Sequence, residues 1–128
     1  MAIERIYDGF LPGRHAIEAY GSGGFRFAGI SHQGSILALP SGVHAYAAKT
    51  AGDVNEAALA QVFAEAAEID LILLGMGEMP MPVSESLRWR FREMRIQIDV
   101  MHTKAAAQTY NILLGEGRRV GAALVAVT

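Results

Sequence analysis

The sequence predicts a three-layer α/β domain with a mixed central sheet, a β-α-β-α-β second half and an antiparallel N-terminal subsheet. Three observations carry this. Nine of the 14 glycines fall in residues 1–52, where they separate short aromatic and aliphatic pieces. From Asp53 onward, helical periodicity alternates with continuous apolar runs. The chain has 128 residues, 52% of them hydrophobic, so it reads as one domain, 1–128. A chain of this mass buries about two-thirds of its unfolded surface, enough for a core without cross-links.

In the first half, residues 16–20, 25–27, 35–39 and 43–47 read as strands between glycine turns, with a hairpin or bend signal at 21–24. Asp53 followed by Glu56 resembles a capping box, and Leu59, Val62, Phe63 and Ala66 lie at helical spacing, predicting a helix over 54–67. The apolar run 69–74 is too short for a helix and suits a strand covered on both faces. Leu87, Phe91 and Met94 predict a helix over 84–94, and alternation of Ile96, Ile98 and Val100 predicts a half-covered strand. Thr103 is placed to cap a third helix over 104–114, with Gly115 just past its end, and 120–127 reads as the last buried strand. Parallel crossovers are right-handed, so a reversal of direction across the sheet puts the helices on opposite faces.

The third helix is apolar around most of its circumference. Only Lys104, Gln108 and Asn111 form a polar stripe. Such a helix needs cover on more than its sheet side, either from the N-terminal subsheet or from a partner, and a homodimer through apolar surface is the corollary. Thr109 and Asn111 favour local backbone hydrogen bonds and are expected to tie the helix to a neighbouring loop.

Several chemistries are excluded by composition. There is no Cys, so disulfides, thiolate metal sites and a cysteine nucleophile are absent. His15, His32, His44 and His102 share no metal-ligand spacing, and neither HExxH nor GxSxG occurs. No catalytic residue, metal or cofactor is therefore expected. A net charge of −2 argues against nucleic acid, whose phosphates require a surplus of Lys and Arg. No apolar run approaches the ~20 residues of a membrane span. The N-terminal stretch, with Glu4 and Asp8, reads as neither a secretory leader nor a transit peptide, so a cytoplasmic location is expected.

Two candidate sites remain. One is a cleft at loops 75–78 and 102–104, beyond the end of the most buried strand, where open α/β sheets collect ligands. Gly75 and Gly77 permit close backbone approach, Glu78 is a candidate base, and Thr103 and Lys104 with the helix N-terminus suit an anion. Asn111 or Arg118 could complete that site. The other is charge-based. Residues 53–70 carry five acidic side chains and no basic one, whereas Arg88, Arg92 and Arg95 share a helical face near Trp89. That face suits an acidic partner or RNA; its alternative use is pairing with the acidic segment of its own chain.

Residues 101–124 resemble the C-terminal signature of the Mth-type domain family, through Thr103, Ala106, Thr109-Tyr110-Asn111, Leu113 and Glu116-Gly117-Arg118. Gly75 and Gly77, and the N-terminal GGFRFAG, fit as well. The family is one of unknown function whose eukaryotic relatives include a mitochondrial complex I assembly factor and an adipogenesis-associated protein. The resemblance implies a three-layer domain with a mixed sheet and implies no reaction. Many members carry Cys and Arg before Thr-Tyr-Asn; here Ala107 and Gln108 stand there, so no thiol role is open to this chain. The expected function is a non-catalytic protein-binding or assembly-factor-like module, and the alternative is an enzyme or small-anion binder using the loop cleft.

Overall fold

A computed structural model describes residues 7–128. The expectation of no leader rests in part on residues 1–6, which lie outside the described residues. Nine strands and three α-helices follow in order: β1 Phe10–Pro12, β2 Ala19–Gly21, β3 Gly24–Phe27, β4 Ile30–Gln33, β5 Ser35–Leu39, β6 Gly42–Tyr46, α1 Ala60–Ala64, β7 Leu71–Gly75, α2 Glu85–Glu93, β8 Gln97–Met101, α3 Thr103–Gly115 and β9 Val120–Leu124. Six strands form the central sheet in the order β1-β6-β5-β9-β7-β8, and β2-β3-β4 form a separate antiparallel sheet. β7 runs parallel to β8 and β9, and β9 runs antiparallel to β5.

The predicted layers and the β-α-β-α-β order are present. β7→α2→β8 steps one way across the sheet and β8→α3→β9 steps back over β7, so the helices occupy opposite faces. Side-chain alternation on the inner strands shows this directly. Leu37, Leu39, Ile72, Leu74 and Ala123 join α1 and α2 residues Val62, Phe63, Leu87 and Phe91 in one core. Ile36, Ala38, Leu73, Ala122 and Leu124 join Ala106, Ala107 and Tyr110 of α3 in the other. All five residues of β5 and of β9 are buried because both faces are covered.

The second core also contains Phe25 and Phe27 of β3. The small sheet thus shares a core with the inner side of α3, while Ile112 on the same helix stays exposed. The small sheet is built from two tight hairpins. Ser22 and Gly23 at φ 53° and 79°, and Ala28 and Gly29 at φ 49° and 73°, supply the paired positive φ of type I′ turns.

Four local expectations are corrected. The N-terminal strands split: β1, β5 and β6 join the central sheet through β5–β9 pairing, and only β2–β4 form the subsheet. The helix expected over 54–67 is regular only over Ala60–Ala64, because nearby polar side chains bond the backbone into turns. The Asp53 carboxylate accepts from the Lys49 and Thr50 amides, and Asn55 Oδ1 accepts from the Ala58 amide. Thr103 is the first helical residue of α3; His102 caps it, its Nδ1 accepting from the Ala105 amide at 3.1 Å. Gly115 is still helical, and Gly117 (φ 72°) makes the left-handed exit, with Gly117 N–H donating to Leu114 O and Arg118 N–H to Leu113 O.

Gly75 marks the closest approach of α3 to the sheet. A Cβ there would lie 2.9 Å from Leu124 Cδ2 and 3.1 Å from both Ala106 Cβ and Thr103 Cα. Gly75→Ala is therefore expected to lower stability by about 1–3 kcal/mol through overpacking. Chemical denaturation checks this, and an unchanged midpoint contradicts it.

Candidate functional site

The C-terminal ends of the three parallel strands meet where α3 begins. Thr103 is fully buried there. Its hydroxyl donates to Val125 O at 2.6 Å and accepts from the Gly77 amide at 2.9 Å, while its own amide donates to Gly77 O at 2.8 Å. Val125 N–H donates to Gly75 O and Met76 N–H to Met101 O, both at 2.9 Å. Gly77 adopts φ 90°, so the loop can turn back onto Thr103. The crevice that open α/β sheets ordinarily leave at this point is narrowed by backbone hydrogen bonds and one hydroxyl.

The residues expected to form the loop cleft are consequently only partly together. Gly77, Glu78, His102 and Lys104 line a shallow depression of about 320 Å³ with Tyr20, Val127 and Thr128. Glu78 is exposed and accepts from the Thr128 hydroxyl at 3.3 Å. Thr103 contributes nothing to that surface, because both of its hydrogen-bonding roles are internal. Gly75 is occupied by packing. Arg118 lies past the far end of α3, about 20 Å along the helix axis from His102.

Asn111 is also elsewhere, and its role is structural. Its Nδ2 donates to Ile17 O and its Oδ1 accepts from Ile17 N–H, each at 2.8 Å. This two-bond clasp pins the segment leading into β2 onto α3, the tie expected from its sequence position.

The arginine face is intact. Arg90 lies 2.9 Å from Glu56 as an ionic contact and sits over the Phe63 ring, so one arginine of α2 does pair with the acidic segment. Arg88, Arg92 and Arg95 have no carboxylate within ion-pair distance among the described residues. With Phe91, Ile96, Gln97 and Ile98 they line a groove of about 360 Å³ between α2 and β8. The Arg92 guanidinium stacks 5.1 Å from the centroid of the exposed Trp89 ring. Arg95 closes α2 in the left-handed region, φ 59°, with Arg95 N–H donating to Arg92 O and Ile96 N–H to Phe91 O. Glycine is the usual residue there, and an arginine costs about 1 kcal/mol of backbone strain.

Two clusters were not apparent from local sequence. Ser41 Oγ donates to Glu65 Oε2 at 2.6 Å and lies 2.7 Å from His44 Nε2, with the Ser41 amide donating to Glu65 Oε1. The three residue types match a hydrolase triad, but the carboxylate holds the serine rather than the far nitrogen of the imidazole. The arrangement anchors the β5–β6 turn to α1. Only the i, i+3 spacing of Ser41 and His44 hinted at it. Elsewhere, buried His32 accepts at Nδ1 from the Tyr7 hydroxyl (2.8 Å) and donates from Nε2 to Ser35 O (3.2 Å).

Together these features define a small three-layer α/β domain whose strand-end crevice is reduced to a shallow depression and whose helix α2 carries an exposed basic face. The chain belongs to the family described as protein of unknown function (DUF498/DUF598), whose model matches residues 17–125. A crystal structure of an outer membrane protein from Bartonella henselae superposes with TM-score 0.88 at 42% identity, covering 91% of this chain and 98% of that one. A Mth938-like domain from Bordetella pertussis superposes with TM-score 0.78 at 23% identity over 96% of this chain and 92% of that one, a likeness of fold that agrees with the Mth-type resemblance. An uncharacterized protein of Rhodobacter capsulatus is 39% identical over 93% of this chain and 87% of its own length. Human NADH dehydrogenase (ubiquinone) 1 alpha subcomplex assembly factor 3 is 28% identical over 85% of this chain, which spans 59% of that protein. Among the described residues no helix is long and apolar enough to cross a membrane, and no cluster of His, Asp and Glu is placed to hold a metal.

Two outcomes follow. Asn111→Ala strands the amide and carbonyl of Ile17 and is expected to cost about 1–3 kcal/mol in denaturation, with no change in the helix content of α3. The second concerns pH. Burial lowers the pKa of His32 and of His44 below the ordinary 6.5. Burial of Glu65 works to raise its pKa, but hydrogen bonds from Ser41 and Gln61 and the nearby His44 outweigh that and hold the carboxyl below its usual range. The folded state thus binds protons less readily than the unfolded chain at all three positions. Stability is complete above about pH 6.5, where the unfolded histidines are neutral, and falls as the pH drops through it. A Tm series from neutral to about pH 5 is expected to decline, less steeply for His32→Asn; a flat wild-type series contradicts this.

Proposed function

We propose that this domain is a non-catalytic docking module, assembly-factor-like in use and cytoplasmic, that holds a protein partner through Arg88, Arg92 and Arg95. The observation that carries the reading is a groove edged by three arginines with no carboxylate at ion-pair distance among the described residues, on a chain whose net charge is −2. Exposed arginines beside an aromatic ring suit recognition of carboxylates, because the guanidinium fork matches them and the ring presets its position. The strained φ of Arg95 adds support. A glycine would be more stable there, so the side chain is maintained against a local cost.

The internal use of Thr103 and Gly75, which leaves only a shallow depression at the strand ends, supports docking over small-molecule chemistry. The assembly-factor name of the human relative points the same way, for a protein of which this chain spans 59%. The acidic composition disfavours RNA as the occupant of the basic face.

Capture from lysate of the native cell, read by mass spectrometry, tests the reading. A specific protein retained by wild type and lost with Arg88, Arg92 and Arg95 all changed to Glu is the expected result. Identical captures by the two forms would refute it. Arg95→Gly separates strain from function: its thermal stability is expected to rise by about 1 kcal/mol while partner retention falls.

A further inference from the structure

The groove has an open sheet edge as one wall. β8 is the outermost strand of the central sheet, so its outward backbone N–H and C=O groups have no strand partner among the described residues. We propose that an extended acidic segment of another protein adds to β8 as a seventh strand, with its carboxylates on Arg88, Arg92 and Arg95; this rests on the docking reading above. The two faces of β8 set the pattern such a segment must have. Ile98 and Val100 pack toward the α1–α2 core, the side on which the arginines overhang. Gln97, Asp99 and Met101 point to the opposite face, where Asp99 repels a second carboxylate. The ligand is therefore a strand with Asp or Glu at every second position and neutral residues between.

A second copy of this chain does not fit the groove. Antiparallel pairing of β8 with itself about a two-fold axis through its middle residue sets Asp99 against Asp99. In the acidic segment of a second copy, four of the five carboxylates are already engaged, and only the exposed Glu68 has no side-chain partner among the described residues. Asp53 is engaged by the Lys49 and Thr50 amides, Glu56 by Arg90, Glu65 by Ser41 and Asp70 by Arg119. One such carboxylate does not match three arginines, so the fitting occupant is a segment that carries several.

The test is a titration of isotope-labelled protein with a short peptide alternating Glu and Thr. Controls are an all-Glu peptide of equal length and the alternating peptide N-methylated at every second amide. Added exchange protection at the amides of Gln97–Met101 is expected, with affinity weakened about tenfold or more by N-methylation, by the all-Glu pattern, and by Glu or Gln at all three arginines. Arginine-dependent binding that ignores N-methylation and leaves β8 amides unprotected would overturn strand addition while sparing the docking surface. Binding of no acidic peptide, or binding indifferent to the arginines, would overturn both. Concentration-dependent pairing of β8 with itself, or arginine-dependent binding of an RNA oligonucleotide in place of peptide, would also overturn the proposal.

Discussion

The fold depends on one buried hydroxyl. Thr103 bonds at once to the loop after β7 and to the end of β9, while standing at the start of the helix that leaves β8. It thereby fixes the C-terminal ends of all three parallel strands relative to one another. The bonds are formed in a dry site, where removing one partner strands the other. Gly75 is the steric counterpart, since its lack of a side chain lets α3 settle onto β7 and β9 closely enough for that hydroxyl to reach. An α/β sheet usually keeps this region open for a ligand. Here the same geometry is spent on cohesion.

Charge is arranged to the same effect. Four of the five acidic residues of 53–70 serve turns and pairs inside the chain. Asp53 closes a loop, Glu65 secures the β5–β6 turn, and Glu56 and Asp70 each meet an arginine. On α2 only Arg90 is used in this way. The surplus positive charge sits on one side of a helix, beside hydrophobic residues of a sheet edge, within a molecule of net negative charge. Long-range attraction for polyanions is therefore weak, and selectivity has to come from short-range fit.

Much of this architecture was legible in the sequence because its strongest elements are periodic and long. The run containing Leu71–Leu74, the Leu87–Phe91 spacing and the apolar α3 are each shaped by burial on a regular lattice. β1 and β4 escaped notice because three or four residues with alternating exposure carry little pattern. The helix expected over 54–67 was overdrawn since alanine content speaks for helix while Asp53 and Asn55 bond backbone nearby. His102 was passed over as a cap because imidazole nitrogen is outside the usual Ser, Thr, Asp and Asn set. Of the candidate site residues, Arg88 and Arg92 lie on α2 as their spacing indicates, while Arg95, expected on the same helical face, stands past the helix end in the left-handed region. The loop cleft could not be judged, since whether Thr103 faces water or Val125 depends on where β9 lies. The Ser41, His44 and Glu65 cluster joins a turn to a helix 24 residues away, a separation that periodicity does not span.

β9 is the last of the nine strands, yet it lies between β5 and β7. As the polypeptide emerges from the ribosome, the central sheet can exist before it only as two unfinished halves, β1-β6-β5 and β7-β8, each with a raw, greasy margin facing where the missing ribbon will go. Closure must wait until residues 120–124 have cleared the exit tunnel, and the contacts then made are distant in sequence and slow to find. The nascent chain is thus most prone to aggregate just before its synthesis passes that stretch. Loss of that one ribbon by cleavage would split the molecule down its middle rather than trim its end.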